Sequence, residues 1–163
     1  MWNAPIPEKL LSLISSDDGK YIIGGGATGI AYLWESQGGK LITQWQAHFN
    51  QILAVGFFEN SIIVTAGKDS MIHCWLIGSL FKSGEITPFK SWSAHSLPVT
   101  SLFCSFSRIL SSSLDHTCKL FSISSNEPLC SIVFPAAVNV TTMNNQETAI
   151  YAGARFFFLF FIY

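Results

Sequence analysis

Short runs of β-branched and aromatic residues alternate with turn-forming residues along most of the chain. Clear breaks stand at Asn60-Ser61 and at Gly67-Lys68-Asp69. No segment keeps an apolar period of 3.6 residues over three turns, so the pattern predicts very little helix and many hairpin-linked strands. The strands predicted most clearly are 52–58, 62–66, 71–76, 99–106, 108–112 and 117–123.

The strand pattern recurs with a period that several landmarks share. Ala47-His48 returns as Ala94-His95, and Asp69 returns as Asp115, which gives spacings of 47 and 46 residues. A repeat of about 40–45 residues is typical of four-stranded propeller blades. The sequence therefore predicts an all-β, partial β-propeller. Its predicted units are blade 1 (1–46, degenerate), blade 2 (47–92), blade 3 (93–135), an incomplete blade 4 (136–155) and an apolar tail (156–163).

The residues at the landmarks resemble the WD-repeat family. The stretches AGKDSMIHCW (66–75) and SSLDHTCKLF (112–121) are similar to the strand, Asp turn and strand that close each of that family's repeats. The resemblance implies a hydrogen-bonded structural tetrad of His, Ser or Thr, Asp and Trp inside a blade. The matching residues are His48, Thr65, Asp69 and Trp75 in blade 2, and His95, Ser111 and Asp115 in blade 3.

Two blades depart from this tetrad. Phe121 occupies the Trp position of blade 3 and has no indole N–H, so we expect one bond fewer there. Gly24 and Thr28 occupy the Ser/Thr and Asp positions of blade 1, so we expect the network to be missing from that blade.

Longer stretches resemble one particular group of WD-repeat proteins. The order HSLPVTSL (95–102), SSSLDHTCKLF (111–121) and EPLCSIVFP (127–135) is similar to the WD-repeat subunit of the nuclear "involved in processing" complex, in a plant-like form. This resemblance implies a scaffold in the nucleus that binds protein subunits of a pre-60S assembly complex and meets pre-ribosomal RNA indirectly. It implies no catalytic residues, cofactor, metal, membrane or small-molecule substrate.

The chain departs from such a subunit in length and in its last residues. A full member has about seven blades, whereas the landmarks here count about three and a half. The part of the sequence that resembles the family ends at Arg155. The residues FFFLFFIY (156–163) follow, where a turn and another strand are expected. Eight apolar residues are too few to span a bilayer, which takes about 20. We expect a truncated form of the protein.

Composition excludes several classes of function. Apolar residues make up 49% of the chain and the net charge is −1, so nothing indicates charge-driven binding to nucleic acid. The four cysteines have no C-x-x-C spacing, which argues against zinc and predicts buried free thiols. The N-terminus has no pattern typical of a secretory signal.

Two patterns in the sequence resemble enzyme motifs, and each has a simpler structural explanation. His, Ser and Asp suggest a hydrolase triad, but the repeat register already accounts for all three. Gly24 to Gly29 matches G-x-G-x-x-G, yet the residues that follow read as a strand rather than the helix that holds a pyrophosphate. These glycines are better explained by a tight turn and close blade packing.

Two other features leave a role in binding open. Phe49, Trp45 and Trp92 either contact a partner or fill the space between blades, and the second interpretation is the more common one. Segment 78–91 is either a solvated loop or a partner-binding insertion. The alternative function is a substrate receptor for a ubiquitin ligase, but the W-D-x-R ending of such proteins is missing after Trp34, Trp75 and Phe121.

Overall fold

A computed structural model describes residues 6–82 and 84–154 of the 163-residue chain, together with the backbone of strand 157–162. The described residues form four antiparallel sheets that follow one another along the chain. The first sheet holds β1 (Leu10–Ser15), β2 (Tyr21–Gly26), β3 (Ile30–Glu35) and β4 (Leu41–Gln46). The second holds β5 (Ile52–Phe58), β6 (Ile62–Gly67), β7 (Ile72–Leu76) and β8 (Lys90–Trp92). The third holds β9 (Val99–Cys104), β10 (Ile109–Ser113), β11 (Thr117–Phe121) and β12 (Cys130–Val133), and the fourth holds β13 (Val138–Met143), β14 (Ala149–Ala154) and β15 (Phe157–Ile162).

The sheets are the blades of a partial β-propeller. Within each sheet, strand order equals chain order, so every strand pairs with the next through a hairpin. The first strands of successive sheets, β1, β5, β9 and β13, contact one another in turn. These four strands therefore line the inner side of an arc, and the predicted all-β propeller fold is confirmed.

Apolar side chains on both faces of the blades hold the arc together. Separate buried clusters lie between the first and second blades, the second and third, and the third and fourth. Strand β6 is buried along its whole length because a neighbouring blade covers each of its faces. Full burial of one Val, Ile or Phe side chain contributes about 1.5–3 kcal/mol, so these clusters are the main source of stability.

The hairpin between the second and third strands has the same backbone geometry in three blades. The residue that follows the turn takes a left-handed conformation at Gly29 (φ +89°), Ser70 (φ +68°) and His116 (φ +69°). Gly29 has a second constraint, because a Cβ atom there would lie 2.2 Å from the carbonyl oxygen of His48. The glycine-rich segment therefore forms a hairpin into β3, and the pyrophosphate-binding helix is not formed.

The described residues of segment 78–91 pack on the core at some positions and are exposed at others. Its beginning continues the one short helix of the described residues, α1 (Ile77–Leu80), and both ends of that helix are buried against the core between the first two blades. Ile86 packs on the same core, whereas Phe81 and Phe89 stay exposed. None of the described helices has the length and apolar character needed to cross a bilayer.

The fourth sheet extends into the segment that the sequence separates as a tail. The backbone of β15 pairs antiparallel with β14, with Ala149 opposite residue 162 and Ala154 opposite residue 157. The fourth blade thus has three described strands where the other blades have four.

Candidate functional site

The second blade contains a chain of four hydrogen-bonded side chains. Trp75 Nε1 donates to Thr65 Oγ1 over 3.0 Å, and Thr65 Oγ1 lies 2.8 Å from His48 Nε2. On the other side of the imidazole ring, Nδ1 lies 2.9 Å from one carboxylate oxygen of Asp69. The side chain of His48 is fully buried, and Asp69 closes the chain at the surface. The structure therefore brings together all four residues that the sequence singles out in this blade.

The bonding pattern assigns a proton to each donor. The indole of Trp75 can only donate, so Thr65 is left to donate its own proton to His48 Nε2. On the other side of the ring, His48 Nδ1 donates its N–H to the carboxylate of Asp69, which can only accept. Burial raises the pKa of Asp69. The bond from His48 and the backbone N–H groups of Met71 and Phe49 lower the pKa by more than burial raises it, so the pKa lies below its usual value.

The third blade repeats this arrangement with a different ending. His95 Nε2 lies 2.7 Å from Ser111 Oγ, and its Nδ1 lies 2.9 Å from Asp115 Oδ2. Phe121 packs its ring 4.8 Å from that of Trp92 instead of donating to Ser111. A residue that the sequence interpretation missed, Thr117, donates to Asp115 over 2.6 Å.

Ionisation in the third blade follows from these contacts. Burial raises the pKa of Asp115, but the hydroxyl of Thr117 and the ring of His95 bring it down to about 2. Burial lowers the pKa of His95 by more than Asp115 raises it, so the ring is neutral near neutral pH. The third blade therefore holds a neutral histidine beside an ionised aspartate.

The first blade carries a different network, centred on Glu8. One carboxylate oxygen accepts the backbone N–H of Thr28 over 2.6 Å, and the other accepts the hydroxyls of Thr28 (2.7 Å) and Tyr32 (2.9 Å). Burial, followed by the bond to Glu8, raises the pKa of Tyr32 to about 12. Glu8 lies before the first strand and outside the repeat register, which explains why the repeat landmarks do not identify it.

Because Gly24 has no side-chain hydroxyl, one hydrogen bond of the tetrad is missing from the first blade. Trp34 corresponds to Trp75, and its indole nitrogen is buried without a hydrogen-bond partner among the described residues. A Cβ atom on Gly24 would lie 2.9 Å from the ring of Trp34. The ring therefore occupies space that the threonine side chain takes in the second blade, as expected for a blade that lacks the tetrad.

The histidines at the centre of the second-blade and third-blade networks are closed off from solvent. The side chains of His48 and His95 are fully buried, and Thr65 and Ser111 are also buried. Within the described residues, no cluster of His, Cys, Asp and Glu has the arrangement needed to hold a metal ion. The networks tie the segment before the first strand of each of these two blades to the hairpin between its second and third strands.

The aromatic candidates divide into two groups. Trp45 and Trp92 are buried between blades, and Trp92 also donates to the backbone oxygen of Ser125 over 3.1 Å. Phe49 differs, because its side chain is 98% exposed and does not fill the space between blades. Its backbone N–H is held by Asp69, which leaves the ring free to contact a partner.

The four cysteines are free thiols, as the sequence predicts, but they differ in burial. Cys74 and Cys118 are buried, and burial raises the pKa of each thiol well above its usual value. Cys104 and Cys130 are only partly buried, so the expectation of full burial is wrong for these two.

Comparison with known proteins supports the same assignment of family and fold. Residues 39–75 and 86–122 match the family model described as "WD domain, G-beta repeat". The chain is 31% identical over 158 residues to Protein ROOT INITIATION DEFECTIVE 3 of Arabidopsis thaliana, covering 91% of this chain and 36% of that protein. It is 33% identical over 155 residues to WD repeat-containing protein 18 of Rattus norvegicus, covering 90% and 36%. It is 28% identical over 156 residues to Pre-rRNA-processing protein IPI3 of Yarrowia lipolytica, covering 91% and 36%.

The chain thus spans about a third of the length of the curated relatives it matches. Among solved structures, it is similar to the computationally designed Ika4 protein, with a TM-score of 0.84 and 20% identity over 97% of this chain and 93% of that chain. It is also similar to the computationally designed Ika8 protein, with a TM-score of 0.81 over 94% of this chain and 46% of that chain. Taken with the blades, the two matched segments identify WD repeats in this chain, and a protein named for pre-rRNA processing is among its relatives.

Proposed function

We propose that this chain is a non-catalytic WD-repeat scaffold that acts in pre-ribosomal RNA processing and assembly of the large ribosomal subunit. The observation that carries the proposal is its similarity, over 91% of its length, to a protein named for pre-rRNA processing. The buried networks add support, because they contribute rigidity and offer no accessible nucleophile or metal ligand. A rigid arc that presents loops suits a platform for other proteins.

The proposed partners are protein subunits of a pre-60S assembly complex in the nucleus. Association with pre-ribosomal RNA would be indirect, because a net charge of −1 offers no general attraction for phosphates. Only about a third of the relatives' length is present in this chain, so we assign it to the part of the scaffold formed by the first blades.

We also propose that the polar networks and blade boundaries have a structural role. Residues His48, Thr65, Asp69 and Trp75 would hold blade 47–92 in shape, and His95, Ser111 and Asp115 would do the same for blade 93–135. Units 1–46 and 136–155 would complete the arc at either end. This assignment makes the networks supports for a binding surface rather than the surface itself.

The test is affinity purification of the tagged chain from cell nuclei, followed by sedimentation and probing for precursor RNA. We expect the chain to sediment with pre-60S particles that contain internal-spacer RNA. A variant that carries Thr65→Val and Ser111→Ala should lose this association through loss of folding, whereas Phe106→Ala tests one surface residue in a folded chain. Recovery of a cullin-type ubiquitin ligase without ribosomal precursors would refute the proposal.

A further inference from the structure

A groove on the inner side of the arc has the features of a peptide-binding site. It has a volume of about 450 Å³, and it lies where the first hairpins of the blades meet. Its lining includes Asp17, Phe57, Glu59, Phe103, Phe106 and Asn145, which come from all four blades. A second depression shares Asp17, Phe57 and Phe103 with it and continues along the inner strands. Because the two depressions share part of their lining, they form one continuous groove, along which an extended peptide segment can lie.

An exposed phenylalanine is held in place at this groove. The side chain of Phe106 is 85% exposed, although it lies in a short turn between β9 and β10. The serines on either side of it, Ser105 and Ser107, both donate hydrogen bonds to Glu147 of the fourth blade. This clamp holds the backbone of the turn that carries Phe106, so less ordering entropy is lost when a partner binds there.

The charges at the groove are negative and unpaired. Glu147 is already bound to the serines and lies near Arg108, which leaves Asp17 and Glu59 as the charged groups of the groove lining. Both residues are exposed, and no hydrogen bond or ion pair from the described residues reaches either carboxylate. Most acidic residues that the structure describes lie in the connections between the first and second strands and between the third and fourth strands of the blades. These connections lie on the same side of the blades as the groove, and acidic residues outnumber basic ones in them.

We propose that this groove binds an extended segment of a partner protein in which basic residues alternate with apolar ones. The basic side chains would pair with Asp17 and Glu59, and the apolar ones would pack on Phe103 and Phe106. The negative charge disfavours nucleic acid at this end. The inference deepens the proposed scaffold function by naming the surface and the chemistry of its partner.

The test is fluorescence anisotropy with the full chain and a short labelled peptide that alternates lysine with leucine. We expect binding that weakens as salt is raised and is absent for a peptide with glutamate in place of lysine. The double variant Asp17→Asn, Glu59→Gln should bind about tenfold more weakly, which corresponds to about 1.4 kcal/mol. Because both side chains are exposed, this variant should fold normally, and circular dichroism checks that it does.

Phe49→Ser provides the matched control, because Phe49 is also largely exposed but lies next to the second-blade tetrad, away from this groove. Phe106→Ser should weaken binding of the basic peptide, and Phe49→Ser should leave it unchanged. Equal loss in the two variants, unchanged affinity in the charge variant, or preferential binding of a labelled oligonucleotide would overturn the inference. Pre-60S association is measured separately, so failure of peptide binding is distinguishable from failure of the scaffold proposal.

Discussion

Replacing Thr65 by valine should destabilise the second blade while preserving its shape. The hydroxyl of Thr65 is fully buried and bonds to both Trp75 Nε1 and His48 Nε2. Valine has almost the same volume as threonine but offers neither a donor nor an acceptor. The substitution therefore leaves two buried polar groups without partners.

The expected loss is about 3 kcal/mol in the free energy of unfolding. Each buried polar group that loses its partner costs about 1–3 kcal/mol, and the added methyl group recovers part of this. Ser111→Ala in the third blade provides the matched control, because Phe121 donates nothing to Ser111. Its hydroxyl bonds closely only to His95, with a long contact of 3.5 Å to the carbonyl oxygen of Lys119. That variant should lose about 1.5 kcal/mol.

The assay is urea unfolding followed by tryptophan fluorescence and circular dichroism, which must give coincident transitions for a two-state analysis. Introducing Trp75→Phe into the wild-type chain and into the Thr65→Val variant completes a double-mutant cycle. Because Thr65→Val already orphans the indole N–H, removing that N–H should cost about 1 kcal/mol less in the valine background. Equal losses for Thr65→Val and Ser111→Ala, together with no coupling in the cycle, would refute the reasoning.

Three further predictions follow from the same contacts. Ser70→Gly and His116→Gly should each raise the free energy of unfolding by about 0.5–1 kcal/mol, because both residues have positive φ; urea midpoints measure this, and a loss would contradict it. The pKa of Asp115 is about 2 when folded and about 3.9 when unfolded, so its contribution to stability should be complete above about pH 5 and fall by about 2 kcal/mol as pH drops toward 2. Urea midpoints across this range should flatten in Asp115→Asn. Cys74 and Cys118 should react with iodoacetamide at pH 8 only after denaturation, because burial raises both thiol pKa values, and mass spectrometry of labelled peptides measures it.

The sequence predicts the blades well because their landmarks recur at a fixed spacing. His48 and Asp69 lie 21 residues apart in the chain, and the hairpin register brings His48 Nδ1 to 2.9 Å from Asp69 Oδ1. The same register places His95 beside Asp115. A repeated pattern reports a repeated geometry, so the tetrad positions follow from the alignment of one blade with the next.

Features that occur once in the chain could not be predicted in this way. Glu8 pairs with Thr28 across 20 residues, and nothing in the strand alternation joins them. A usable signal would have been the acidic residue just before β1, in a blade that has no Asp at the tetrad position. Phe49 shows a second limit, because it directly follows the buried Ala47 and His48, and the sequence pattern does not show that its own side chain is exposed.

The stepwise packing of the blades has a consequence for how the chain opens. Each apolar cluster joins two successive blades, so the folding energy is distributed along the arc like links in a line. The second and third blades have a neighbour on each side, whereas the first and fourth each have one among the described residues. Amide hydrogen exchange should therefore be slowest in β6 and β10 and fastest in β2 and β14, with local opening beginning at the outer blades and moving inward.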